Sequence, residues 1–366
     1  MNKQTGKPTP ATWPNVQLRD VATIRAGGKL GLTKVKNYIS TGYPAFSAAG
    51  QDGFVDRFEF EGSSVILSAI GARCGKCFYA TGKWTTLANT YIIRANPTLF
   101  SNRFLWYLLN DEDYWHRSGT AVPFISPRDI RNTWVHQPTR QEQNTIVEQL
   151  DLINDIRQQH QLAVNKLETL KNGFLENLKQ GKFFPRHDIY KLNEACTLSM
   201  GETIIAKDLT PTGIPVFSAD TKPKPWGHHR APQKVYPQGT IIISARGSIG
   251  HPRLPRFDSY TSTQTTIAVF PNKQLLRPKY LQIWLKTLDY DVLTSVQAVP
   301  MLTIKSLSTA QVHIPAKPIQ NKIIHNYATI QTVQATHKDL FVRYTKLLTG
   351  MKHRLLYGQQ TATSSV

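Results

Sequence analysis

Few residues in this sequence are spaced as an enzyme or a metal site would require. Cys74 and Cys77 have the spacing of one half of a zinc site, but no second pair of ligands follows them. The stretch GARCGKC, which begins at Gly71, has the wrong spacing for a phosphate-binding loop and lacks a hydroxyl residue after its lysine. The 24 acidic residues are scattered, which disfavours a two-metal nuclease site. We therefore expect no metal site and no catalytic residues.

Other signatures of catalysis and of membrane insertion are also missing from the sequence. It contains no glycine-rich cofactor loop, no Asn/Asp-Pro-Pro-aromatic tetrapeptide of amino-methyltransferases, and neither H-E-x-x-H nor G-x-S-x-G. Its three cysteines give no disulfide framework and indicate a reducing compartment. No apolar run approaches 18 residues, and the first ten residues are polar. We expect a cytoplasmic protein that does not bind membranes.

The positive charge is shared between two large parts of the chain. The 366 residues carry a net charge of +20. Residues 1–140 have 17 basic and 9 acidic side chains, and residues 186–318 have 16 and 8, so each segment carries +8. Residues 141–185 carry −1 and residues 319–366 carry +5. A basic protein can simply be well solvated, but equal charge on two segments is better explained if both bind the same polyanion.

The two basic segments are copies of each other. TGYPAFSA begins at Thr41 and TGIPVFSA at Thr212; VILSAIG begins at Val65 and IIISARG at Ile241. AVPFIS and VHQP in the first copy return as AVPMLT and VHIP in the second, in the same order and with an offset that drifts only from 171 to 177. A repeat of about 177 residues is far longer than a solenoid unit, so each copy should form a domain.

Each copy contains short β-type runs punctuated by glycine and proline, followed by a long segment with helical periodicity. The sequence thus predicts an α/β (α+β) fold with two duplicated globular domains and two long helices. The predicted boundaries are a first domain at 1–140, a first helix at 141–185, a second domain at 186–318, a second helix at 319–358 and a flexible tail at 359–366.

Apolar residues along both predicted helices recur with a period near 3.5, which is typical of helices that pack along a partner. The simplest partner for each helix is the other one, as an antiparallel coiled coil that would place the domains at opposite ends about a pseudo-two-fold axis. His160 and His337 occupy matching positions, where polar residues more often fix register than bind metal. The predicted seam consists of Ile146, Leu150, Ile153, His160, Val164, Leu167, Phe174 and Leu178 in the first helix, and Ile323, Tyr327, Ile330, His337, Phe341, Tyr344, Met351 and Leu355 in the second.

The doubled motifs resemble the specificity subunit of a type I restriction–modification system. The resemblance rests on YPAFSAAGQDGFV, on the turns ILSAIGARCGK and IIISARGSIG, on the loops AVPFIS and AVPMLT, and on RQEQNTI and KPIQNKI after a proline. It covers the chain from about Trp13 to Gly358. Each motif alone is weakly specific, whereas their doubled order is strongly so.

This resemblance implies two target-recognition domains, each reading one half of a bipartite sequence in double-stranded DNA. It also implies helices that set the spacing between the domains and dock two methyltransferase subunits, with restriction (helicase-nuclease) subunits as further partners. Such a subunit is not an enzyme and binds no cofactor itself; S-adenosylmethionine and ATP-Mg belong to its partners. The alternatives are a tandem-domain repressor, an RNA-binding protein, or a methyltransferase or nuclease with a diverged active site.

Candidate DNA contacts lie in loops where the two copies differ, since different loops on one scaffold allow one chain to read two sequences. Arg73 and Arg246 are the strongest of them because each lies in a glycine-bracketed turn after a buried strand. The candidates are Lys29, Lys34, Lys36, Ser47, Arg73, Lys76 and Lys83 in the first domain, and Lys222, Lys224, Trp226, His229, Arg230, Arg246 and Ser248 in the second.

Overall fold

The computed structural model describes residues 13–184, 186–222, 224–295 and 300–357, so the predicted tail at 359–366 lies outside the described residues. The helices are α1 Leu18–Val21, α2 Lys34–Asn37, α3 Asn102–Leu109, α4 Pro127–Asn132, α5 Arg140–Lys179, α6 Leu192–Ala195, α7 Pro278–Leu285, α8 Tyr290–Leu293, α9 Ile304–Ser308 and α10 Lys317–Tyr357. Short 3₁₀ turns occupy Glu112–Tyr114 and Ala206–Asp208.

The strands are short and fall into two similar series. The first series is β1 Asn15–Gln17, β2 Ala22–Ala26, β3 Tyr43–Ser47, β4 Gly50–Val55, β5 Phe60–Glu61, β6 Ser64–Ser68, β7 Cys77–Ala80, β8 Lys83–Thr86, β9 Thr90–Ala95 and β10 Trp134–His136. The second is β11 Asp188–Lys191, β12 Cys196–Met200, β13 Ile214–Phe217, β14 Gly227–His229, β15 Tyr236–Pro237, β16 Ile241–Ser244, β17 Ser259–Ser262, β18 Thr266–Pro271, β19 Thr294–Ser295, β20 Met301–Leu302 and β21 Gln311–Ile314.

The chain folds into two compact units, and each takes in parts of both long helices. Unit 1 holds the chain up to His160 and again from Leu340, and unit 2 holds Gln161–Asp339. Each unit therefore combines one basic globular segment with an end of α5 and an end of α10.

Unit 1 is built on two four-stranded sheets. The central sheet has the order β2-β9-β6-β7 and is antiparallel throughout. All five residues of β6 are buried, as expected for a β-branched and apolar strand covered on both faces. The second sheet has the order β4-β3-β8-β5, with β3 and β8 parallel. A separate pair, β1 and β10, lies next to the start of α5 in the sequence.

Unit 2 repeats this topology with one strand fewer in its central sheet. Its central sheet has the order β12-β18-β16, and its second sheet has the order β14-β13-β17-β15. The parallel pairing of β3 with β8 returns as the pairing of β13 with β17. The pair β1 and β10 returns as β11 and β21. The duplication predicted from the sequence is thus also a duplication of strand order.

In each unit one amphipathic helix and the long helices close the main core. Helix α3 buries its apolar face, including Phe104 and Leu108, and Ser101 caps it by accepting a hydrogen bond from the Phe104 amide at 3.2 Å. Helix α7 of unit 2 likewise buries its apolar face, including Tyr280 and Leu281, and begins at Pro278 without a side-chain cap. Full burial of each such side chain stabilises the fold by about 1.5–3 kcal/mol.

The repeated Gln-Asn dipeptide has a structural role. The Gln143 side chain is fully buried, accepts from the Ser101 amide at 2.9 Å and donates to the carbonyls of Leu99 and Pro138. Gln320 forms the same three bonds in unit 2, to Arg277, Leu275 and Pro315. Each glutamine thus satisfies buried backbone groups where a globular segment meets the first turns of a long helix.

The predicted packing of the two long helices on each other is confirmed within each unit. Helices α5 and α10 span 40 and 41 residues. Their segments run antiparallel, because Ile146 lies near Leu355 in unit 1 whereas the later residue Phe174 lies near the earlier residue Tyr327 in unit 2. In unit 2, Phe174 lies against Tyr327 and the Gln334 amide donates to Glu168 at 2.7 Å. In unit 1, Arg157 lies over the ring of Phe341 at 5.6 Å.

All sixteen predicted seam residues are buried or half-buried. Leu150 and Leu178 are fully buried, whereas the central members are half-buried, as in a two-helix seam without a third layer. His160 stacks on Tyr344 with ring centroids 5.5 Å apart, so its ring packs in the seam. His337 is half-buried. Over the described ranges, neither long helix nor any shorter one is long and apolar enough to cross a membrane.

Candidate nucleic-acid interface

Several loops of unit 1 emerge together from one edge of its central sheet. Strand β2 ends opposite the start of β9, and β6 ends opposite the same point, because Ala26 pairs with Tyr91 and Ser68 pairs with Thr90. Gly27 donates from its amide to the Thr90 carbonyl at 2.9 Å. The loops after β2, after β6 and before β9 therefore lie side by side.

A fourth loop joins them. The amide of Gly71 donates to the Pro123 carbonyl, and the amide of Ile125 donates to the Ala69 carbonyl, each at 2.9 Å. We call this surface, formed by residues 27–29, 69–76, 87–89 and 122–124, the loop edge of unit 1.

Unit 2 has an equivalent loop edge, formed by residues 201–205, 245–250, 263–265 and 300–302. The Ala245 amide donates to the Thr265 carbonyl at 2.8 Å, as Ala69 donates to Asn89 in unit 1. The Leu302 amide donates to the Ala245 carbonyl at 2.9 Å, as Ile125 donates to Ala69. Two backbones with the same hydrogen bonds thus present different side chains.

An ion-pair network attaches the second sheet to the loop edge of unit 1. Lys34 forms an ion pair with Asp52, and Ser47 donates to the same carboxylate at 2.7 Å. Arg73 extends from the loop edge and donates to the Ala49 carbonyl at 2.5 Å. Ala49 lies between Ser47 and Asp52 in the sequence. The structure therefore brings together three of the predicted residues, Lys34, Ser47 and Arg73.

Asp52 neutralises part of the positive charge that we expected to bind DNA, because it pairs with Lys34. Although its partial burial acts in the opposite direction, hydrogen bonds from Lys34, Tyr38 and Ser47 hold the pKa of Asp52 below its usual value. Ser47 is buried, and its hydroxyl also accepts from the Ala49 amide at 3.0 Å, so it holds the β3–β4 hairpin in this structure. Pairing between Lys34 and Asp52 is invisible in a count of basic residues.

The other predicted residues of unit 1 are spread more widely. Lys29 is exposed on the loop edge, where its charge opposes the rise that burial causes in the pKa of Glu59. Lys76 is half-buried in the same loop as Arg73, and Lys36 is exposed on α2. Lys83 lies at the far end of β8 from the loop edge, with its ammonium 4.8 Å from the centre of the Phe58 ring.

Unit 2 holds its corresponding loop by a half-buried arginine, Arg253, that sequence reasoning missed. The guanidinium of Arg253 is paired with Asp220 at 3.2 Å, donates to the Ser218 carbonyl and lies over the Phe217 ring at 5.5 Å. Burial lowers the pKa of Arg253, and the negative charge of Asp220 opposes that shift. Arg253 thus joins the segment after β16 to the loop after β13, as Arg73 does in unit 1.

The predicted residues of unit 2 form two groups. Arg246 and Ser248 are exposed on the loop edge, in the turn after β16. The second group follows β13 and surrounds β14: Lys222, Lys224, Trp226 and Arg230 are exposed, and His229 is half-buried, its Nδ1 accepting from the Ala231 amide at 3.2 Å. The carbonyl of Lys222 accepts a hydrogen bond from Arg253. Arg253 follows loop-edge residues 245–250 closely in the sequence, so it connects the second group to that part of the chain.

The cysteines are buried and their thiols are poor candidates for metal binding or catalysis. Cys74 and Cys77 lie in the core of unit 1, and Cys196 in that of unit 2. Burial raises the pKa of Cys77 far above its usual value and that of Cys196 to about 12, so both stay protonated at neutral pH. Within the described ranges no three His, Cys, Asp or Glu side chains gather as metal ligands would.

Comparison with known proteins identifies both units. The family model of the type I restriction modification DNA specificity domain matches residues 10–168 and again residues 187–336. The specificity subunit of the type I restriction enzyme EcoDI from Escherichia coli is 29% identical over 147 residues, which are 39% of this chain and 32% of that protein. A putative type I specificity subunit from Mycoplasma pneumoniae is 24% identical over 180 residues, 45% of this chain and 58% of the relative.

Solved structures share the fold along the whole chain. The S subunit of a type I restriction–modification system from M. genitalium aligns with a TM-score of 0.67 and 16% identity, over 97% of this chain and 98% of its own. A chain from a structure of complex assembly and conformational transition in the type I system aligns with a TM-score of 0.57 and 18% identity, over 96% and 99%. With the family model matching most of its residues, this chain belongs to the type I restriction–modification DNA specificity family.

Proposed function

We propose that this chain is the sequence-specific DNA-recognition subunit of a type I restriction–modification complex. Unit 1 and unit 2 each read one half of a bipartite target in double-stranded DNA, and the long helices set the gap between the halves. The observation that carries the proposal is the pair of loop edges, which share backbone hydrogen bonds but differ in side chains. One scaffold used twice with different loops suits the reading of two different sequences.

The charge supports DNA as the ligand. A duplex needs phosphate neutralisation for affinity and side chains at base edges for sequence. Each globular segment has a surplus of eight basic residues, and exposed Lys29, Arg73 and Arg246 lie on the loop edges. The basic side chains would thus supply the phosphate contacts, and the side chains that differ between the loop edges would supply the base contacts.

The proposal extends to partners and cofactors. Two methyltransferase subunits dock on the helices, where leucines such as Leu152, Leu162 and Leu170 are more than half exposed along α5. Restriction subunits complete the complex. The chain itself is non-catalytic and binds no cofactor, and the S-adenosylmethionine and ATP-Mg of the reaction bind to its partners. It works in the cytoplasm, where the DNA is.

Selection from a random DNA library tests the proposal. The purified full-length chain, alone and with its methyltransferase subunits, should enrich duplexes that carry two short sequence elements at one fixed gap. Enrichment of a single element, of RNA in a parallel selection, or of nothing would refute it. The same preparation incubated with DNA and S-adenosylmethionine separates binding from catalysis. Methyl transfer by the chain alone would show an enzyme.

A further inference from the structure

One position of the duplicated loop edge carries opposite chemistry in the two units. Ile70 in SAIG and Arg246 in SARG follow the same Ser-Ala pair and precede the same glycine. The preceding alanines, Ala69 and Ala245, form equivalent backbone bonds on both sides. Gly71 and Gly247 both have a positive φ, 97° and 68°, and a Cβ built on either would meet no atom within 4 Å. Each turn therefore points into open space.

The neighbours of this position differ in the same way. Ile70 is bridged to Phe124, and both are 42% exposed, forming an apolar surface beside Arg73. Arg246 occupies the equivalent place beside Met301, whose sulfur accepts from Nε at 3.2 Å. A thioether is a weak acceptor that leaves the guanidinium charge in place, and no carboxylate pairs with Arg246 among the described residues.

These two chemistries match two different base pairs. In the major groove a guanidinium donates two hydrogen bonds to O6 and N7 of guanine, whereas an apolar side chain contacts the 5-methyl group of thymine. Contact with a thymine methyl group would remove the exposed apolar surface of Ile70 and Phe124 from water, which is favourable.

We infer that Arg246 reads a guanine in one half-site and that Ile70, supported by Phe124, reads a thymine at the equivalent position of the other half-site. This inference rests on the proposed function and assigns a base to each loop edge. The difference between the half-sites at this position then follows from a single side-chain difference on one backbone.

Exchange of the two residues provides the test, with the full-length protein and DNA selection as the readout. Arg246→Ile should abolish the preference for guanine at one position of one half-site, a discrimination of about tenfold to a hundredfold, and leave the other half-site unchanged. Ile70→Arg should create a guanine preference at the equivalent position of the other half-site. Both residues are exposed, and thermal unfolding verifies that the variants fold.

Two further variants separate base reading from charge. Arg246→Lys keeps the charge but not the planar pair of donors, so it should retain most affinity and lose the guanine preference. Arg186→Ile removes an exposed arginine of unit 2 that lies beside Pro315 and Lys317, away from the loop edge, and should leave the selected sequence unchanged.

The possible outcomes distinguish the inference from the proposed function. If Arg246→Ile weakens binding equally for all sequences, Arg246 contacts only phosphate and the inference is wrong. An unchanged selected sequence would also overturn it. If the unsubstituted chain enriches no bipartite duplex, the proposed function itself fails, whichever residue is exchanged.

Discussion

Replacement of Arg253 by methionine should loosen one recognition loop without disturbing the core of unit 2. Methionine fills most of the volume of the arginine stem but removes the ion pair with Asp220 and the bond to the Ser218 carbonyl. The arginine side chain is only 13% exposed, so these contacts are poorly screened by water. Contacts of a charged donor are worth about 1.5–3 kcal/mol each.

Two features of the site reduce the cost of the substitution. Arg253 Nε is buried without a hydrogen-bond partner among the described residues, so its removal relieves one unfavourable burial. Asp220 keeps its bonds from the Ser218 hydroxyl at 3.1 Å and from the Lys222 amide at 3.0 Å. The net loss should therefore be about 2 kcal/mol, which lowers Tm by about 4–8 °C in a unit of this size.

A double-mutant cycle with Asp220→Asn measures the pair directly. The coupling between the two substitutions should be about 1 kcal/mol in thermal or urea unfolding. DNA selection should show weaker preference in one half-site only, because Lys222 and Lys224 lose their support. Zero coupling with unchanged Tm would refute the reasoning, and equal loss at both half-sites would show that Arg253 does not act through its own loop.

Three further predictions concern charge and spacing. Asp52→Asn should destabilise unit 1 at neutral pH. Because hydrogen bonding lowers the folded-state pKa of Asp52, its contribution is present above the unfolded value near ~3.9 and is lost as pH falls through the folded value. Urea unfolding of both proteins should therefore show a difference that shrinks below about pH 4, and a constant difference would contradict this. If each unit neutralises ~4 phosphates, log K should fall with log[salt] at a slope of about −7, whereas a slope near −1 would mean that the basic surface does not bind DNA. Removal of one matched heptad from α5 and α10 shortens the helices by ~10 Å, so the preferred gap should shrink by about three base pairs, with lower affinity because one half-site rotates around the duplex. An unchanged gap would show that the helices are not the spacer.

The long helices and the duplication were predictable because they depend on local periodicity. A helix repeats its side-chain directions every few residues, so the seam from Ile146 to Leu178 is readable without a partner. The first helix was predicted at 141–185, and helix α5 of the structure is Arg140–Lys179. The repeated glutamines were recognised as a motif, but their buried bonding to Leu99 and Leu275 required the fold.

The loop residues were less predictable because their roles depend on contacts between distant segments. Lys34 and Asp52 are 18 residues apart, and no local sequence pattern around either residue predicts that they pair. Arg253 follows a His-Pro dipeptide outside the turn that aligns between the copies, and it contacts a residue 33 positions away. Sequence reasoning placed Lys34 and Ser47 among the DNA contacts, below Arg73 and Arg246, but it gave no sign that Asp52 binds both of them. In the described ranges no carboxylate pairs with Arg246, whose Nε donates to the sulfur of Met301.

The two loop edges share a backbone arrangement and differ in their side chains, so specificity should change by substitution of side chains alone. The bonds that fix the loop edges run between backbone groups, such as Ala69 with Asn89 and Ala245 with Thr265, so they do not depend on which side chain follows. Arg73 and Arg253, which support the loops, also bind the backbone carbonyls of Ala49 and Ser218, and Arg253 has the Asp220 carboxylate as a further partner. On the proposed function, a substitution at position 70 or 246 should therefore alter the side chain presented to DNA while the loop geometry is retained. Because the loop edges belong to separate compact units, we expect such a substitution in one unit to leave the half-site read by the other unit unchanged.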